Sequence, residues 1–358
     1  MKYKDVFLLA FILIFANNSF AKMNETYEFY NGIREMGMGG ATVAVVNDET
    51  ALILNPAALG KLRDSYFTVF DPEIHGDSTA GRVYNADGYK TNPQALLDNL
   101  KTRPDKHHNA SAYLFPSFVV PNFGVGLLGT YNYDAQVNST GNTFDMRYRN
   151  DYAFILGYNF KFFDGIIKLG FNAKYINRVE ADTTVPASSS GLSWADYVNE
   201  GVGISSDIGL ILTAPLTYLP SLAVVWRDVG DTDYSFSHGL FFDNRPYPSR
   251  TDQTVDVGLS VSPILGKRVR MQISAEVQDV LTLAKEQDKS KRYHAGVEFN
   301  IYDRLFIRGG MNQRYWTAGL EVSGFFMQFQ AASWGEEIGT PTQHKEDRRY
   351  GVKFAIRF

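Results

Sequence analysis

The chain has 358 residues, 35 basic and 39 acidic side chains, a formal net charge of −4 and no cysteine. The mild negative charge argues against a nucleic-acid partner, and without cysteine no disulfide contributes to stability. Aromatic residues make up 14%, with 26 Phe and 21 Tyr, a share that suits a belt of rings at a lipid–water interface.

The first 21 residues read as a secretory signal peptide. Lys2 and Lys4 supply the positive start, Val6 to Ala16 the apolar run, and Ser19-Phe20-Ala21 the small residues at the cleavage positions. The mature chain is expected to begin near Lys22, and no cysteine follows to carry a lipid anchor. No later apolar run approaches the ~20 residues of a spanning helix. An exported chain that resides in a membrane without such helices must be a barrel.

Residues 22 to 63 show no hairpin pattern. Their centre, "GMGGATVAVVNDETALILNPAALG" at 37–60, looks at first like a nucleotide loop. The dinucleotide pattern needs a third glycine that is not in place, and the Gly-Lys-Ser/Thr of a P-loop does not occur. Gly37, Gly39 and Gly40 predict tight turns and close backbone approach rather than a stable helix over 33–40. Pro56 pushes Asn55 toward an extended conformation. Small residues, few charges and tight turns suit a plug folded inside the lumen of a barrel.

From near Ser65 the chain reads as segments of about ten residues with alternating polarity. In 268–278 Val269, Met271, Ile273, Ala275 and Val277 share one face, and Arg268, Arg270, Gln272, Ser274, Glu276 and Gln278 the other. The segments at 292–300 and 349–358 repeat the pattern. A soluble sandwich would alternate too. Here the polar face interleaves Lys168, Lys174, Arg270, Glu276, Glu298 and Lys353 with glycine, as in a wet or plugged lumen, and the chain ends on Phe358 like the assembly signal of bacterial outer-membrane barrels. Short connections at 120–124, 160–165, 213–221, 262–268, 300–304 and 322–325 alternate with long ones at 72–108, 135–147, 180–200, 229–251, 281–290 and 335–347; the link at 312–314 is short where a long one is due. The expectation is an all-β, transmembrane antiparallel β-barrel of about 14 strands over 64–358, with an N-terminal luminal hatch over 22–63.

The hatch residues carry a resemblance. Gly-Met-Gly-Gly-Ala, the Asn47-Asp48 pair and Asn55-Pro56-Ala57, followed at once by a strand, resemble the N-terminal hatch of the long-chain fatty acid transport protein family of Gram-negative outer membranes and of its hatch-bearing relatives. The resemblance implies a cell outer-membrane location. It also implies a hydrophobic small-molecule ligand that lands between two long loops, moves to a pocket near the hatch and leaves sideways into outer-membrane lipid. That route keeps an apolar solute out of water.

Two long loops carry apolar clusters: Leu192, Trp194, Tyr197 and Val198 in one, Phe236, Leu240, Phe241, Phe242 and Tyr247 in the other. They are candidate ligand-uptake residues, or they pack on each other as a cap. A sideways exit needs a kinked strand, for which Gly124, Gly126 and Gly129 in the third strand are candidates. Leu96, Leu97 and Leu100 predict a helix over 93–101 packed on the barrel rim. His107-His108 reads as a solvated loop and His294 as part of a luminal charge network with Glu276 and Glu298. No enzyme chemistry, metal or cofactor is expected. The transporter reading stands beside two others: a plugged interaction or secretion-associated barrel with a protein partner at its extracellular loops, and an open polar pore.

Overall fold

The computed structural model describes residues 25, 28–78, 92–242, 245–284 and 288–358. The expected signal peptide lies outside them.

Alternating side chains give strands that are apolar on one face and polar on the other, and the sheet closes so that the polar face turns inward. The strand segments are β1 (Tyr66–Phe70), β2 (Glu73–Asp77), β3 (His107–Leu114), β4 (Ser117–Val120), β5 (Phe123–Val137), β6 (Thr143–Phe162), β7 (Ile167–Pro186), β8 (Asn199–Thr213) and β9 (Ser221–Arg227). They continue with β10 (Thr254–Val261), β11 (Ile264–Gly266), β12 (Val269–Val277), β13 (Tyr293–Ile301), β14 (Leu305–Asn312), β15 (Tyr315–Ser323), β16 (Met327–Glu337) and β17 (Glu346–Arg357). β1 with β2, β3 with β4 and β10 with β11 are each one wall strand interrupted at a bend, so the 17 segments form fourteen wall strands. Every neighbouring pair is antiparallel. The seam closes where β17 meets β1 and β2, with Thr68 opposite Arg357 and Ile74 opposite Val352. No helix among the described residues is long and apolar enough to cross a membrane; the strands cross it.

The outer surface shows the bilayer's position. Tyr152, Trp226, Tyr293, Trp316 and Tyr350 are exposed toward the end with the long connections, and Phe162, Phe163, Tyr218, Tyr302, Phe325 and Phe358 toward the other. Phe154, Leu156 and Tyr158 fill the band between on β6. From Tyr152 to Phe162 the wall rises roughly 25 Å at the usual strand tilt, the height of a lipid-facing band.

Two long connections, those at the upper ends of β6 and β7, are shorter than the sequence predicts. β6 and β7 pair over their whole lengths, from Thr143 opposite Pro186 to Phe162 opposite Ile167, about twice what a bilayer needs. The turn between β5 and β6 is therefore only 138–142, and the loop between β7 and β8 only 187–198. The ladder continues above the membrane because its outer face is covered there. A helix, α3 (Pro93–Leu100), has its N-terminus capped by Asn92 Oδ1, which accepts from the Gln94 N–H at 2.8 Å. It lays Leu96, Leu97 and Leu100 on Tyr133, Ala135, Val137, Phe144 and Met146, the predicted rim packing. His107 and His108, expected in a solvated loop, are buried on β3 instead: His107 lies 2.9 Å from Asp347 and 3.2 Å from Asp134, and His108 lies 3.2 Å from Asp77.

Candidate functional site: the luminal segment and the cavity beside it

Residues 28–62 occupy the lumen. They form two short helices, α1 (Ile33–Gly37) and α2 (Ala51–Leu54), and a 3₁₀ turn at Pro56–Lys61. The single helical turn of α1 was not expected from so glycine-rich a stretch. Tertiary contacts hold it where propensity would not. Ala51, Leu52, Ala57, Ala58 and Leu59 are fully buried and join inward-facing Phe115, Val119, Leu128, Ile155, Ile211 and Val225 in one apolar cluster.

The wall makes room for this segment with glycine. A Cβ on Gly170 of β7 would lie 2.1 Å from the Pro56 carbonyl carbon, and one on Gly209 of β8 2.1 Å from Asn55 Oδ1. On β13 a Cβ at Gly296 would lie 2.2 Å from the Met38 carbonyl oxygen, and on β17 one at Gly351 2.3 Å from Ile33. These strands lie all around the barrel, so the cradle encircles the segment.

The residues singled out in the sequence meet here. Gly39 and Gly40 turn the chain at φ of 67° and 81°, and Gly37 passes 3.2 Å, measured from an added Cβ, from the Cα of Gly319. Asn55 is extended. Its Oδ1 accepts from the Ala57 N–H at 3.0 Å while its Nδ2 donates to the Val43 carbonyl at 2.8 Å, so one side chain ties the turn that starts at Pro56 to the earlier turn at 43–45. Asn47 and Asp48 both accept from the Arg34 guanidinium, and Arg34 also reaches Glu298 of β13. Burial alone would raise the Asp48 carboxyl; Arg34 and the Thr50 hydroxyl outweigh it and hold the group well below the usual carboxylate range.

The inner-face acids do more than balance charge. Glu276 Oε2 accepts the Thr42 and Val43 N–H groups at 2.8 and 3.0 Å. Glu73 accepts the Ile33 N–H at 2.7 Å and the Tyr30 hydroxyl at 3.0 Å. His294 faces the lumen as expected, but its partners are the Gly39 and Lys291 carbonyls rather than Glu276 or Glu298. Alternation placed Glu276 and Glu298 on the inner face; nothing in a linear pattern reveals that their partners lie more than two hundred residues away.

The glycines of the third wall strand do not kink it. β5 runs unbroken from Phe123 to Val137; Gly126 makes room for the Phe115 ring and Gly124 for Leu52. Besides the break between β10 and β11, the interruptions lie in the first two wall strands, at Asp71-Pro72 and Phe115-Pro116, where Asp71 Oδ1 accepts the Phe115 N–H at 2.6 Å. Two prolines within strand-like runs were the available signal.

Beside the segment, toward the long loops, a cavity of about 400 Å³ opens. Phe29, Tyr30, Ile53 and Leu54 give it an apolar side. Its walls are charged and paired: Lys174 with Asp207 and Asp228 at 2.7 and 3.0 Å, Arg178 with Asp151 at 2.7 Å, Arg227 with Asp256 at 2.6 Å. Burial raises the Glu28 carboxyl on its border to about 7 despite nearby Arg227.

The candidate ligand-uptake residues do not line this cavity. Leu192 is buried against α3, and Trp194 and Tyr197 pack between that cluster and Val179, Ala181 and Val198. Phe242 joins them, while Phe236, Leu240 and Phe241 remain 66%, 66% and 58% exposed. Tyr133, Tyr148 and Val179 alternate with the luminal Asp134, Arg149 and Arg178, so these contacts lie on the outer face of the wall above the membrane.

No protein-family model matches the sequence, and no curated protein matches it. Solved structures do. A deltaS2 mutant of the TodX monoaromatic hydrocarbon channel is 13% identical, with 91% of this chain and 97% of that one covered at a TM-score of 0.52. The Pseudomonas putida toluene transporter TodX is 10% identical over 94% and 99%, at 0.49, and a Pseudomonas aeruginosa FadL homologue 11% identical over 93% and 99%, at 0.47. The chain has the fold of the first of these barrels. With its girdled apolar exterior and closed wall it is a transmembrane β-barrel, the architecture the sequence resemblance implied.

Proposed function

We propose that the protein transports hydrophobic small molecules across the outer membrane, with residues 28–62 serving as the hatch they must pass. The observation that carries this reading is the way the lumen is obstructed. The segment that fills it belongs to no wall strand and is held by side-chain hydrogen bonds, ion pairs and glycine-cradled packing. An obstruction of that kind can rearrange without opening the wall. The neighbouring cavity offers an apolar side and charged walls, which suits a solute with an apolar body and a polar end better than a plain salt or sugar.

The test is uptake and binding by the purified barrel in liposomes, with toluene, decane and oleate as separate probes. Saturable uptake of at least one, lost when Ile53 and Leu54 are replaced by Asp, supports the reading. Absence of saturable uptake for all three, in barrels shown to be folded, overturns it.

A further inference from the structure

The connection from β9 to β10 straddles the wall. β9 stops at Arg227, well short of the upper end of β8. The free edge of β8 is taken by this connection: Val202 exchanges hydrogen bonds with Phe236 and Ser237, and the Glu200 N–H donates to the Pro246 carbonyl at 3.0 Å. Tyr234 and Thr251 lie on the luminal side, beside Arg178. The tip at 239–242 lies on the opposite, outer side.

Glu200 fixes that tip. Its carboxylate is buried and accepts three successive backbone N–H groups, from Leu240 at 2.9 Å, Phe241 at 3.0 Å and Phe242 at 2.6 Å, as well as the Asn177 amide at 2.9 Å. Gly239 lets the chain pass over it, for an added Cβ there would lie 2.0 Å from the carboxyl carbon. A carboxylate holding three consecutive N–H groups makes a rigid mount. What it mounts is apolar and exposed: Leu240 and Phe241. The Phe241 ring lies 5.1 Å from the ring of Tyr152, the girdle residue on β6. The tip is thus continuous with the lipid-facing surface, at the level where headgroups give way to acyl chains.

We propose that this tip is a membrane-docking element that rests in the outer-leaflet interface, with Leu240 and Phe241 among the lipids and Glu200 as the positioning residue that holds them there. The occupant of this surface is lipid, because the patch extends an established lipid interface and faces the same way.

The chain has no cysteine, so one introduced thiol can be labelled alone. An environment-sensitive fluorophore on Phe241→Cys, in the full-length barrel in liposomes, should show blue-shifted emission and quenching by nitroxide-bearing lipids. It should resemble Phe154→Cys in the apolar band and differ from Thr342→Cys on an exposed loop. Adding Glu200→Ala should return the label's emission to the aqueous position, with the barrel still folded by its heat-dependent gel mobility; should that variant not fold, Gly239→Val displaces the same tip. Emission at 241 matching that at 342, or a dehydrated label that lipid nitroxides do not quench, overturns the proposal. A label that stays lipid-quenched in both displaced variants overturns the part assigned to Glu200.

Discussion

Arg34 and Glu298 meet in a two-point contact across the lumen: Nε to Oε2 and Nη2 to Oε1, each at 3.1 Å. Arg34 belongs to the luminal segment, Glu298 to the wall, and Arg308 braces the same carboxylate at 2.6 Å. Removing Arg34 leaves Glu298 to Arg308 alone and takes the cation from Asp48, and breaking a buried pair of this kind costs up to about 3–5 kcal/mol. Arg34→Ala should therefore loosen the segment and raise single-channel conductance in planar bilayers above that of the intact barrel. Arg34→Lys, which keeps a cation between Asp48 and Glu298, should recover most of the loss; equal conductance in all three proteins would refute the fastening role.

The glycine cradle yields a steric prediction. Gly170→Val or Gly209→Val places carbon where the segment's backbone or the Asn55 side chain now stands, and the backbone cannot give way as a flexible side chain can. Each should expose Lys61 to trypsin in folded barrels and speed influx of small polar dyes. Gly266→Ala, which meets nothing within 4 Å, should change neither. Trypsin resistance in the Val variants would show that the segment accommodates the change.

Asn55→Ala removes a side chain that is 0% exposed and bonded at both ends. It leaves the Val43 carbonyl and the Ala57 N–H unpaired in an apolar surround, at a cost of about 1–3 kcal/mol. Because the loss is local, amide exchange should accelerate roughly 5- to 150-fold over 43–60 by that energy, with little change along β12 to β16. Uniform acceleration across wall and segment would contradict the assignment.

Lys61 donates to the Ala44 carbonyl at 2.9 Å. Burial, aided by Arg34 and Lys168, lowers its ammonium from 10.5 to about 7. The folded value is below the unfolded one, so the unfolded chain holds the proton more tightly. The stability linked to this group is complete above pH 10.5 and is lost as pH falls toward 7, with a slope of at most about 1.4 kcal/mol per pH unit. The urea midpoint in micelles should rise between pH 7 and 10 in the native chain relative to Lys61→Met. Parallel pH profiles would refute the linkage.

The barrel was legible because period-two alternation is local: Met271, Ile273 and Ala275 declare an outer face without reference to any partner, and the count of alternating segments gave the strand number. The luminal segment was legible by exclusion, as the one stretch without that period. Its fastenings were not. Glu73, Glu276 and His294 look like any inward polar residue until closure brings Ile33, Thr42 and Gly39 against them. Phe236, Leu240 and Phe241 stood out as apolar residues on a loop, but sequence gives no hint of which side of the wall a loop falls on. That was decided by the early end of β9, which left an edge of β8 for the loop to take.

The seam joins the first wall strand to the last: Thr68 waits for Arg357, and Ile74 for Val352. The segment that fills the lumen lies just ahead of β1, and its cradle is shared by β7, β8, β13 and β17. The cradle is therefore complete only once the last strand has closed on the first, for Gly351 of β17 is part of it. A barrel closed with that segment left outside would have an intact wall and bare glycines facing an empty lumen.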